Sequence, residues 1–108
     1  MDKKNLTESR GSYQRLEQVI GCKWSVSVLQ AVHLQINRPG ALERNIKGIS
    51  TKVLSERLRK LTEYGLLKKQ VFAEVPPRTV YSLTRKGAKL VGIIDAIHAL
   101  DDAPSAPR

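Results

Sequence analysis

Aromatic residues, thiols and acids are all scarce in this chain of 108 residues. It holds one Trp, one Phe, three Tyr and one Cys, and ten acidic residues against nineteen basic. A single cysteine, Cys22, excludes an internal disulfide and fits a reducing compartment. With only two histidines, His33 and His98, far apart in sequence, no clustered ligand set for zinc can be assembled, so neither a metal nor another cofactor is expected. No apolar run approaches the ~20 residues of a membrane span. Met1–Arg10 is too polar for a secretory signal. These absences point to the cytoplasm and away from a membrane partner. No nucleophile–base pair stands at a useful spacing and no glycine-rich phosphate loop occurs, so an enzyme is not expected. No internal repeat or low-complexity segment breaks the chain.

What is present is positive charge, and it is concentrated. Between Arg38 and Lys89 thirteen basic residues face four acidic ones, an excess of nine that equals the net charge of the whole chain; the remainder balances six against six. A basic patch of this kind attracts polyphosphate and releases condensed counterions on binding.

The length suits one domain with a modest core. The polar residues 1–11 read as a disordered arm, 12–101 as the folded domain and 102–108, with Pro104 and Pro107, as a loose tail. Ser12 is placed to cap a first helix carrying Leu16, Val19 and Ile20 and ending at Gly21. Trp24 to Leu34 repeats helical spacing through Val28, Leu29 and Val32. Pro39 suits the first turn of a third helix, which holds Leu42 and Ile46 and stops at Gly48. Ser50 caps a fourth, with Leu54, Leu58 and Leu61 facing inward, Lys52, Glu56, Arg59 and Glu63 outward and Ser55 on the flank, ending at Gly65. Leu66–Val75 and Thr79–Leu83 are strand-like around a Pro76-Pro77 tip. Thr84 caps a last helix with an apolar stripe of Leu90, Ile93, Ile94 and Ile97, extended by Leu100. The fold class is therefore mainly α with a small β-hairpin: a winged helix-turn-helix of about five helices plus a two-stranded wing.

A polar helix backed by a ribbon with a basic tip can enter one groove of a duplex and touch the next, which makes double-stranded DNA the expected partner. Ser50 and Thr51 sit at a helix N-terminus, where free N–H groups favour phosphate. Lys52, Ser55 and Arg59 are the side chains placed at base edges or phosphates, and Arg59 has the fork geometry for guanine. Glu56 either accepts from cytosine N4 or pairs with Lys60 one turn on, and the pair is favoured. Arg38 and Arg78 are assigned to the phosphate backbone, with a narrow minor groove as a second destination for Arg78; Pro77 and Thr79 flank it in the wing. Trp24, Tyr13, Tyr64 and Tyr81 are read as packing residues. Cys22, at a helix start beside Lys23, is either a buried filler or a redox-sensing thiol with lowered pKa, the filler being favoured.

Gly21-Cys22-Lys23-Trp24, Gly48-Ile49-Ser50, Lys52, Leu54, Arg57-Leu58-Arg59-Lys60-Leu61, Gly65-Leu66, Val75-Pro76-Pro77-Arg78, Tyr81-Ser82-Leu83-Thr84 and Gly87 resemble the HxlR-type transcriptional regulators over roughly residues 15–100. Three positions depart from that pattern: Pro39 stands for an aromatic, Cys22 for a second glycine, and no cysteine precedes the first helix. The resemblance implies a prokaryotic homodimer in which first and last helices pair, through Leu16, Val19, Leu90, Ile93, Ile94, Ile97 and Leu100. It also implies recognition helices 50–64 in successive major grooves of a palindromic operator and wings 75–79 at the flanking minor grooves. No operator, inducer or sign of regulation can be assigned from the residues. The competing expectation is a winged-helix module that binds RNA or a protein partner.

Overall fold

A proline and a serine mark two of the helix starts. The structure, a computed structural model, describes residues 14–104. The arm expected over 1–11, the Ser12 cap, Tyr13 and the end of the tail at 105–108 lie outside the described residues. Helix α1 covers 14–20 and turns at Gly21. Helix α2, Lys23–His33, begins after Cys22, and α3, Pro39–Asn45, carries its proline in the first turn, where a missing N–H leaves no bond unmade. Gly48 then takes a left-handed φ of 86°, a conformation that only glycine adopts cheaply. Helix α4, Thr51–Glu63, starts at Ser50, whose Oγ accepts from the Val53 N–H at 3.1 Å.

Strands β1, Leu67–Phe72, and β2, Arg78–Leu83, pair antiparallel from Leu67↔Leu83 to Phe72↔Arg78. The first strand is shorter than its composition suggested. Beyond Phe72 the facing residues are the two prolines, which cannot donate, so residues 73–77 form the tip. The second strand starts one residue earlier than expected because Arg78 completes the ladder opposite Phe72.

Helix α2 is the centre of the domain and packs against α3, α4, α5 and β2. Val28 and Leu29 of α2, Leu42 of α3, Leu61 of α4 and Leu66 after it are completely buried. Burial of each such side chain contributes about 1.5–3 kcal/mol. Strand β2 gains a further backbone bond outside the hairpin, from the Tyr81 N–H to Asn37 O at 2.8 Å, which fixes the wing against the α2–α3 loop. Trp24 packs half-buried on the core as expected, its ring edge 3.6 Å from where a Cβ on Gly48 would sit.

Helix α5, Arg85–Asp102, is the longest element and runs one residue past the expected domain end at 101. Its apolar residues divide into two stripes. Gly87, Leu90, Val91 and Ile94 face inward and are buried, while Ile93, Ile97 and Leu100 lie on an outer face, 53%, 42% and 78% exposed. Leu90, Ile94 and Val19 of α1, all at most 4% exposed, therefore belong to the domain's own core rather than to an intersubunit surface. Residues 93 and 94 differ by about 100° around a helix, so the docked side takes Ile94 and leaves Ile93 at its margin, while Ile97, about 20° from the line of Leu90, is exposed because the helix has run past the rest of the domain. Leu16 is half-buried, and every residue from 95 to 102 is exposed.

Candidate nucleic-acid interface

The outward side of α4 presents Lys52, Ser55 and Arg59, all exposed, while Leu54, Leu58 and Leu61 hold the opposite side in the core. Lys52 and Ser55 make no side-chain hydrogen bond or ion pair among the described residues. Their polar ends are available to a ligand. Arg59 is engaged differently: its Nη1 donates to Glu63 Oε2 at 3.1 Å, one turn on. Thr51, expected at phosphate, donates its hydroxyl to Glu43 Oε2 at 2.8 Å, so its side chain ties α4 to α3 while its N–H remains part of the helix start. The favoured Glu56–Lys60 pair is not formed. Glu56 pairs instead with Arg57, 3.7 Å away, and Lys60 lines a small recess with Arg57 and Tyr64.

The hairpin lies on the same flank. A groove of about 520 Å³ runs between α4 and the wing, lined by Ser55, Arg59 and Glu63 on one wall and Lys69 and Tyr81 on the other. A second cleft of about 500 Å³ separates Arg38 and Pro39 at the start of α3 from Pro77, Arg78 and Thr79 of the wing. Of the residues singled out from sequence, Ser55 and Arg59 line the first cleft and Arg38, Pro77, Arg78 and Thr79 the second, while Ser50, Thr51 and Lys52 at the start of α4 line neither. Lys69 was missed. The alternation of β1 gave no way to single it out from Lys68, since both are exposed, and only its position opposite Tyr81 puts it in the groove.

Arg78 is folded back on the hairpin. Its guanidinium lies 4.1 Å over the Phe72 ring and its Nη2 donates to Glu74 Oε2 at 3.0 Å. Reaching the floor of a minor groove would require it to leave both, which favours the backbone role over the groove. Pro77 at the tip is exposed and Thr79 half-buried.

Cys22 lies outside both clefts, half-buried at the start of α2. Burial pushes its thiol up, but the Ser25 hydroxyl, the Ser25 and Trp24 N–H groups and the Arg57 charge outweigh this and hold it below its ordinary value of 9.0. No first-turn N–H forms a well-shaped hydrogen bond to the sulfur, so the effect comes from donors gathered nearby. Tyr81 shows the opposite case: burial beneath the groove raises its hydroxyl. No helix of the described residues is long and apolar enough to cross a membrane.

Five helices, a left-handed glycine between the third and fourth, and a two-stranded hairpin beside an exposed polar helix define a winged helix-turn-helix protein. Residues 19–106 match the family described as HxlR-like helix-turn-helix, and the chain belongs to that family. The chain is 37% identical over 87 residues to the HTH-type transcriptional regulator sll1512 of Synechocystis, a match covering 81% of this chain and 64% of that one. The chain therefore spans slightly less than two thirds of that relative's length. Among solved structures it superposes on a MarR-family transcriptional regulator from Enterococcus faecalis V583 with a TM-score of 0.74 and 29% identity, covering 94% of this chain and 87% of that one. It also superposes on the reduced form of the transcriptional regulator YodB from B. subtilis, with a TM-score of 0.67 and 28% identity over 94% and 92% of the two chains.

Proposed function

We propose that the protein is a sequence-specific regulator that binds double-stranded DNA as a homodimer, with α4 in the major groove and the wing at the flanking minor groove. The observation that carries this reading is the shared groove of α4 and wing, in which Ser55 and Arg59 stand opposite Lys69. The leucines behind α4 hold that face rigid, and the basic residues supply the counterion release that drives association with a duplex. Arg59 released from Glu63 has two parallel donors for guanine. Homodimerisation is supported by the outer stripe of α5, three large apolar side chains on a helix half that nothing in the domain covers. A two-fold dimer reads a palindromic site.

The test is a mobility shift on duplex DNA from upstream of the gene itself and on duplexes selected from a random pool, with Lys52→Ala and Arg59→Ala alongside wild type. Wild type should retard a subset of duplexes, and both variants should weaken binding, Arg59→Ala by about 1–3 kcal/mol with relaxed sequence preference. Equal binding by both variants would place the contact surface elsewhere.

A further inference from the structure

Within this DNA-binding reading, the wing tip carries a more specific assignment. Arg78 is opposite Phe72 in the ladder, stacks on its ring, and gives one end of its guanidinium to Glu74. Its Nε, in contrast, is shielded from solvent and has no acceptor. A buried donor left unmade is costly, and an outside acceptor can meet this one only after a side chain packed around the guanidinium has moved. The cleft beside it is shared by Arg38. The Arg38 side chain is exposed and forms no hydrogen bond or ion pair among the described residues. The cleft thus joins two cations, one carboxylate and an unused N–H.

We propose that this cleft receives one phosphodiester group of the duplex backbone, held between Arg38 and Arg78, and that Glu74 is a place-holder which the phosphate displaces. A carboxylate and a phosphodiester both offer two oxygens to a planar guanidinium. The exchange therefore needs no rebuilding of the Arg78 side chain, which Phe72 keeps in its plane while Glu74 swings away. Pairing with Glu74 also keeps the unbound tip from being an open anion trap. A free anion must displace the carboxylate unaided, whereas a backbone phosphate is delivered by all the other contacts of the duplex. Arg78 serves at the rim of the groove in this arrangement and keeps its stack.

The experiment uses a duplex selected by the wild-type protein, resynthesised with one phosphate at a time replaced by a neutral methylphosphonate. Affinity is measured for wild type, Arg38→Ala, Arg78→Ala and Glu74→Gln. One phosphate per half-site should cost wild type roughly tenfold, and the two arginine variants, already weakened on the unmodified duplex, should lose nothing more at that position. Glu74→Gln should bind the unmodified duplex several-fold tighter and lose that advantage at the same phosphate. Excess inorganic phosphate should leave the Arg78 Nε–H resonance of the free protein in place, while the duplex should move it. Arg38 and Arg78 mapping to different phosphates, or weaker binding by Glu74→Gln, would overturn the assignment and leave DNA binding standing. Failure of wild type to select any duplex would remove the DNA-binding reading and this site with it.

Discussion

The hydroxyl of Thr84 joins two helix ends: it accepts from the Gly87 N–H at 3.0 Å and donates to Gly65 O at 2.5 Å. The first bond starts α5 and the second satisfies a carbonyl left over where α4 stops. Lys86 adds a third link, from its Nζ to Tyr64 O at 3.2 Å. Thr84 and Lys86 together hold the end of α4 and the start of α5 as a unit.

Replacement of Thr84 by alanine removes both bonds and should lower stability by about 1–3 kcal/mol, whereas serine, which keeps the hydroxyl, should cost only a few tenths. Thermal unfolding of the two variants checks this. Each kcal/mol corresponds to roughly 4–8 °C in a domain of this size.

Two glycines of α5 should respond in opposite directions to alanine. A Cβ on Gly87 would clash with the backbone carbonyl of Leu66, and neither backbone can yield without undocking α5, so Gly87→Ala should destabilise by about 3 kcal/mol. At Gly92 a Cβ meets nothing within 4 Å, and the helix interior rewards the loss of backbone freedom, so Gly92→Ala should stabilise by about 0.5–1 kcal/mol. Urea midpoints at unchanged slope would show both.

Cys22 links stability to pH. Its thiol in the folded chain lies below 9.0, so folding favours the thiolate. That contribution is fully present above the unfolded value and fades as pH falls through the lowered folded one. The melting temperature of wild type relative to Cys22→Ser should accordingly rise as pH climbs toward 9.0 and level off above it. Ser25→Ala, which removes the side-chain donor, should slow alkylation of the thiol by iodoacetamide at neutral pH. A difference in melting temperature that stays flat across the range would show that the thiol is not lowered.

The outer stripe of α5 predicts the state of assembly. Wild type should sediment as a dimer at micromolar concentration, and Ile97→Asp or Leu100→Asp should shift it to monomer with little change in the unfolding temperature of the single domain, because both side chains are exposed and neither belongs to the core. A monomeric wild type would remove the dimer from the proposed function.

Much of this architecture was legible in the sequence because it rests on local chemistry. Ser50 and Thr84 cap because their hydroxyls reach an N–H three residues on. Pro39, Gly48 and Gly65 sit where their backbones permit little else. The spacing of Leu54, Leu58 and Leu61 fixed the inner face of α4. The division of α5 was not legible, since Ile93 and Ile94 are equally apolar and only the docked helix shows which one is buried. Ion-pair choices were also hidden. Glu56 with Arg57, Arg59 with Glu63 and Glu74 with Arg78 each compete with alternatives within about 1 kcal/mol at an exposed surface. Lys69 became a groove residue only when the hairpin closed beside α4.

The closeness of Trp24 to Gly48 carries a practical consequence. The chain's only indole lies against the bend that leads into α4, with the Lys23 ammonium 4.5 Å from its ring centre. Emission from that single fluorophore is a label-free optical gauge of the bend, positioned by the fold itself and free of interference from any second tryptophan.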